Sequence, residues 1–265
     1  TNKLGGVGVK NHFFPIIGDT KRSAIKPGCP LVISSITLNH YVGGFNAAAV
    51  RCLAEISANP IIVWFPTIHS ENILKNQKFE IPGEWIDVET RKQFKFRPTK
   101  FIKGLKIFDE KMKISREVKE VLVEIKKSDA ILATGHISWQ ESQALVKFAV
   151  NKIGLKKIII THPIYQKIDM PIDIQKKLTK LGALVEHCFS MYSIDNISIK
   201  KIVEQIKFVG AANCILSSDV GQIFSLTPSE ALKQFVKLLK KEGINENEIK
   251  IMLIKNPRRL IGKSD

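Results

Sequence analysis

Ala130-Ile131-Leu132-Ala133-Thr134-Gly135-His136 and Lys157-Ile158-Ile159-Ile160-Thr161-His162 are two short apolar runs, each stopped by a histidine, and the two histidines stand 26 positions apart. Runs of this kind, bounded by turn residues, read as strands buried on both faces, the pattern of a parallel sheet. The interval between them holds one strand and one crossover helix. Working outward, the same pattern recurs at 6–10, leading into Asn11-His12, and at 31–38, ending in Asn39-His40. It returns at 61–65, ending in Pro66-Thr67, at 184–186, and at Cys214-Ile215-Leu216-Ser217-Ser218-Asp219. Seven strands result, whereas a closed barrel of alternating strands and helices has eight. The expected fold class is therefore α/β, a (β/α)8 TIM-type barrel lacking its first strand, which would precede residue 1.

Helices with readable start signals separate the strands. Gly43-Gly44-Phe45-Asn46 opens a helix over 47–58 with Asn46 as N-cap, and Ser138-Trp139-Gln140-Glu141 and Thr227-Pro228-Ser229-Glu230 are capping boxes. Further helices are expected over 115–127, 140–153, 173–181, 198–208, 228–242 and 246–254, with an amphipathic patch at 19–25. The stretch 70–103 reads as a long irregular insertion, and 105–108 with 111–114 as a small hairpin around Asp109-Glu110. Together they make an insertion at about 70–114 placed to cover the barrel mouth, in a single domain spanning 1–265.

The 265 residues suit one such barrel. The net charge of +16 is mostly lysine, dispersed and without interleaved aromatic residues, which favours solvated helix faces over a nucleic-acid partner. No apolar run is long enough for a membrane span, and no signal peptide opens the chain. Cys29, Cys52, Cys188 and Cys214 form no C-x-x-C pair and read as reduced thiols, so a cytoplasmic protein is expected. A small-molecule substrate, which could be anionic, is the expected partner, and a homo-oligomer is compatible with the sequence.

Polar residues at the C-terminal ends of barrel strands share one mouth. His136 and His162, on neighbouring strands, can converge on one metal ion; the alternative is a pair of capped loop residues. Asp219 can accept and return a proton beside such an ion, or serve as a loop hydrogen-bond acceptor. Lys10 and His12 share a side if the strand continues through them. Lys10 could contact a substrate carboxylate or, once carboxylated, be a metal ligand, and His12 could be a further ligand, with structural ion pairing equally open for both. Glu186 could contact substrate or pair with Lys10, and His40 could line the mouth. For His69 and His187 a structural role is the better reading.

The phrases Val9-Lys10-Asn11-His12, Leu38-Asn39-His40-Tyr41-Val42-Gly43-Gly44-Phe45-Asn46, Val63-Trp64-Phe65-Pro66-Thr67, Ala133-Thr134-Gly135-His136, Thr161-His162-Pro163 and Ser218-Asp219-Val220-Gly221-Gln222, in this order, resemble a group of uncharacterised proteins (domain of unknown function 6282). That group is related to the amidohydrolase superfamily of metal-dependent hydrolases. The resemblance implies that His136 is the fifth-strand metal ligand, His162 the sixth-strand ligand and Asp219 the eighth-strand aspartate. The His-x-His pair that such enzymes carry after their first strand is absent from the chain. The implied function is hydrolysis by water activated on a divalent metal, Zn²⁺ by its ligands, with Asp219 moving the proton. A non-catalytic barrel with a binding or regulatory role, and a metal-assisted decarboxylase, are the alternatives.

Overall fold

The computed structural model describes residues 5–21, 30–93 and 97–263. Its strands are β1 (Gly6–Gly8), β2 (Leu31–Ile33), β3 (Ser35–Thr37), β4 (Ile62–Trp64), β5 (Ile131–Ala133), β6 (Ile158–Ile160), β7 (Leu184–Cys188) and β8 (Cys214–Ser217). β1 pairs with β2, and β3 to β8 form a six-stranded sheet in chain order; every pairing is parallel. Parallel neighbours need crossovers, and the helices Ala47–Ile56, Arg116–Lys127, Trp139–Phe148, Ile172–Thr179 and Ile199–Val209 lie within them.

The strand expected over 31–38 comes as two pieces of one rail. After β1 the chain folds back against its middle: Ile16 bridges Ser35 antiparallel, and Asp19 takes both backbone groups of Val32, its N–H donating to Val32 O and its carboxylate accepting from Val32 N. Gly18 makes this approach feasible, because a Cβ there would lie 2.2 Å from Val32 O. Counting the rail once, seven strand positions stand side by side. Among the described residues no strand pairing joins β8 back to β1.

Strand side chains alternate between two cores, as a period of two requires. Trp64, Ile131, Ala133, Ile159, Leu184 and Ile215 face inward and meet Leu260 from the helix Asn256–Leu260. Val63, Leu132, Ile158, Ile160, Val185 and Leu216 face outward, under the surrounding helices. Asn256 anchors the last helix by donating to the carbonyls of Ala211, Ala212 and Cys214, at 3.2, 3.1 and 2.7 Å.

Three expectations are corrected. The stretch 70–103 is not irregular: it carries the helices Glu71–Lys75 and Val88–Gln93 and the 3₁₀ turns Gly83–Trp85 and Thr99–Phe101. The hairpin reduces to one bridge between Phe108 and Ile114, because the Asp109 carboxylate takes the amides of Lys111 and Lys113, both at 2.9 Å. The helix read at 246–254 is a chain of an α-turn, a π-helix at Ile251–Lys255 and a further α-helix from Asn256. Both expected capping boxes form. The patch at 19–25 falls largely outside the described residues. Among the described residues no helix is long and apolar enough to cross a membrane.

Candidate active site at the barrel mouth

Past Gly8 the first strand leaves the backbone ladder, yet residues 9–12 stay beside the rail because its side chains take over. Ser35 Oγ donates to Val9 O, Thr37 Oγ1 to Asn11 O at 2.7 Å, and Asn39 Nδ2 to His12 O at 2.9 Å. These three donors alternate along the chain and so share a face. They hold Lys10 and His12 at the mouth.

Asn39 is the organising residue that the sequence reading missed. Fully buried, it also donates to Thr67 Oγ1 at 2.8 Å and accepts from Thr67 N and His69 N at 2.9 and 3.2 Å. One amide thus ties together the ends of β1, β3 and β4. An asparagine closing an apolar strand was its only sequence signal. Asn39→Ala would leave buried backbone amides unpaired, at about 1–3 kcal/mol each. A loss of about 3 kcal/mol in urea unfolding is expected; a loss below about 1 kcal/mol would mean that water replaces the amide.

The second half of the mouth comes from β5 and β6. Gly135 N donates to Thr161 Oγ1 at 3.1 Å and Thr161 N to Thr134 Oγ1 at 3.0 Å, a reciprocal clasp. Gly135 has φ +63, and a Cβ there would lie 2.1 Å from Phe65 O, so glycine is required. The clasp leaves His136 Nε2 facing His162 Nε2 at 3.1 Å, while neither buried Nδ1 has a hydrogen-bond partner. Asp219, in the left-handed region at φ +46, is a non-glycine residue in a conformation that such residues seldom adopt. Its Oδ1 lies 2.7 Å from Lys10 Nζ and its Oδ2 3.6 Å from His162 Nε2. The Lys10–Asp219 pair spans the seam between the first and last strands.

These groups surround a cavity of about 40 Å³ lined by Lys10, His12, Trp85, His136, His162 and Asp219, among others, space for a few water molecules. Trp85, from the insertion, stacks on the His12 ring at 4.6 Å and stands edge-on to His136 at 6.0 Å.

Charge follows from burial and pairing. Burial opposes the Lys10 charge, but Asp219 and Glu186 outweigh it and hold its pKa above the ordinary lysine value. Burial likewise opposes the Asp219 carboxylate, and Lys10 with His162 outweighs it, so its pKa is lowered. Burial, assisted by Lys10, pushes His12 down to about 3 and His162 to about 4. His136 is pushed well below its ordinary value by burial and by His162. The imidazoles are therefore neutral at pH 7. Glu186 is pushed up to about 7 by burial, against the pull of Lys10.

Of the residues picked out in the sequence, Lys10, His12, His136, His162 and Asp219 meet in one cavity. His40 does not line it; its side chain is exposed and bonds Lys103 O through Nε2 at 2.7 Å. Glu186 is not among the cavity-lining residues either; it interacts with Ser217 and Cys188 and acts on Lys10 through space. His12 Nδ1 is engaged by Thr67 Oγ1 at 2.9 Å. His69 is buried with structural bonds: Nε2 lies 2.7 Å from Glu80, which also accepts from Tyr41, and Nδ1 accepts from His40 N. That cluster ties the insertion to the ends of β3 and β4. His187 is buried on β7 with neither ring nitrogen hydrogen-bonded.

Among the described residues, no group of three or more His, Cys, Asp or Glu side chains stands arranged to hold a metal ion. Lys10 lies on one oxygen of Asp219, and Thr67 engages Nδ1 of His12. In kind, the donors nevertheless fit a divalent ion: two neutral imidazoles with facing nitrogens, and a carboxylate beside them.

The chain matches the family of unknown function DUF6282 over residues 1–186. No curated protein matches it. Among solved structures it is similar to an amidohydrolase from Pseudomonas aeruginosa, with 10% identity over 88% of this chain and 73% of that one, at a TM-score of 0.55. A TatD homologue from Escherichia coli K12 gives 17% identity, coverage of 88% and 86%, and a TM-score of 0.48. A 5-carboxyvanillate decarboxylase from Sphingomonas paucimobilis gives 11% identity, coverage of 90% and 68%, and a TM-score of 0.46. The first of these likenesses, at 10% identity, is one of fold: the α/β, TIM-barrel-like architecture of an amidohydrolase.

Proposed function

Because the chain belongs to the family of unknown function DUF6282 and has an amidohydrolase-like barrel, we propose that it is a metal-dependent hydrolase of a small molecule, with its site at the barrel mouth. His136, His162 and Asp219 would hold the ion, and nitrogen with carboxylate donors suits Zn²⁺. The observation that carries this reading is the pair of facing His136 and His162 Nε2 atoms, 3.1 Å apart on rings that burial keeps neutral. When bound, a divalent ion supplies Lewis acidity toward a carbonyl or phosphoryl oxygen and acidifies water.

The chain's own groups do the rest. Asp219 Oδ2 faces the cavity beside His162 and is the acceptor for a proton from water. While Lys10 sits on Oδ1 that carboxylate is a weak base, so proton transfer is favoured once the ammonium turns away from it. Lys10 can then meet an anionic group on the substrate. Trp85 covers His12 and helps to exclude water from the mouth, which strengthens each charge interaction inside.

Elemental analysis of the purified protein, beside a His136→Ala/His162→Ala variant, tests this. Near-stoichiometric metal in the wild type and none in the variant is the expected result. A folded wild type without metal would sink the hydrolase reading. It would favour the second reading, a non-catalytic barrel with a binding role, which draws on the Lys10–Asp219 pair already satisfying the carboxylate.

A further inference from the structure

Lys10, Asp219, His162 and His136 form a row across the mouth, with successive polar atoms 2.7, 3.6 and 3.1 Å apart. An ion with tetrahedral bonds of 2.0–2.1 Å sets neighbouring donors roughly 3.3 Å apart. His162 thus stands close to that spacing from both His136 and Asp219, although the three do not yet form a group arranged to hold an ion, and a cation is already present at the other end of the row. Lys10 is not a loose surface lysine. Its side chain is 12% exposed, and its backbone is held by the Ser35 and Thr37 hydroxyls on either side.

Resting on the metal reading above, we propose that Lys10 is a built-in counter-cation that competes with the metal ion for Asp219. In the metal-free molecule the ammonium neutralises the carboxylate and closes the seam between β1 and β8. Uptake of an ion by His136, His162 and Asp219 is coupled to withdrawal of the ammonium, because a second cation beside the same carboxylate is repelled. Glu186, which already attracts Lys10 through space, is the carboxylate toward which the released ammonium is drawn. Metal affinity in this chain is then set by a residue that never touches the metal, and an anionic substrate that takes up the ammonium would tighten the metal in turn.

The test is Zn²⁺ binding from a chelator-buffered solution to the chelator-treated full chain. It compares wild type with Lys10→Gln, which keeps a donor but removes the charge, and Lys10→Arg, which keeps the charge. Lys10→Gln should bind Zn²⁺ roughly 10- to 100-fold more tightly, the range over which neighbours of metal ligands tune affinity, and Lys10→Arg should stay near the wild type. The metal-free Lys10→Gln variant should melt lower than the wild type and gain more from added Zn²⁺. Should Lys10→Gln not fold, the wild type serves: amine-directed labelling of Lys10 read by mass spectrometry should rise when Zn²⁺ binds. Equal or weaker binding by folded Lys10→Gln, with the wild type binding, overturns the competition while leaving the metal reading intact. So does labelling that Zn²⁺ leaves unchanged. No Zn²⁺ binding by folded wild type and Lys10→Gln alike overturns both.

Discussion

Asp219→Asn is expected to destabilise the metal-free protein by about 3–5 kcal/mol, the usual consequence of leaving one partner of a buried ion pair unmatched. The side chains of Lys10 and Asp219 are only 12% and 22% exposed, so water can screen the stranded ammonium only in part. The geometry sharpens the expectation, because this pair bridges the seam that no backbone pairing closes among the described residues. A double variant, Lys10→Gln with Asp219→Asn, should recover much of the loss, since two neutral amides carry no uncompensated charge. Urea unfolding followed by circular dichroism measures both. A loss below about 1 kcal/mol for the single variant would place the pair with ordinary solvated surface bridges. The seam would then owe its closure to something else.

The second large effect is a fall in stability on acidification, beginning near pH 6.5 rather than in the carboxylate range. Burial holds His12, His162 and His187 at about 3, 4 and 4, and His136 well below its ordinary value. In the unfolded chain each takes a proton near pH 6.5. A group whose folded pKa is depressed contributes stability that is complete above its unfolded pKa and lost as pH falls toward the folded one. With His69, whose pKa burial also lowers, five imidazoles act in this sense. Glu186, pushed up to about 7, acts in the opposite one, since the folded chain retains a proton that the unfolded chain has released above the ordinary carboxylate range. One carboxyl set against five imidazoles leaves a net uptake of protons on unfolding. Between about pH 6.5 and 4.5 each proton taken up contributes a slope of about 1.4 kcal/mol per pH unit. Below that window Asp219, with its lowered pKa, adds to the loss. Denaturant unfolding of chelator-treated protein at several pH values reads the slope directly. Constant stability from pH 7.5 to 5 would mean that these rings reach water and charge freely.

Much of the fold was legible because continuous apolar runs admit few arrangements. Ile158-Ile159-Ile160 and Ala130-Ile131-Leu132-Ala133, bounded by turn signals, fit strands buried on both faces, as in a parallel sheet under helices, and that is where they lie. The capping box at Ser138 likewise declared its helix, since the residues that satisfy the first turn are local in sequence. Less legible were features whose partners are distant. The break at Ser34 depends on Ile16, Gly18 and Asp19 folding back, and the failed hairpin on Asp109 capturing nearby amides. Asn39 looked like a strand end because its bonds run to Thr67 and His69, which only folding brings close. His40 follows a strand and so reads as a mouth residue, but it opens a 3₁₀ turn at His40–Val42 and its ring bonds Lys103 O.

The sequence by itself determined the parallel α/β barrel order and the gathering of Lys10, His12, His136, His162 and Asp219 at one end, because strand period and strand polarity send those side chains to a common mouth. Only the tertiary structure decided how they are shared out. It put the ammonium of Lys10 on Asp219, turned His12 to Thr67 and Trp85, and set His136 against His162. Periodicity fixes the face on which a residue lies, whereas pairing among buried charges depends on separations of a few ångströms between strands far apart in the chain, and on which partner best offsets the loss of water.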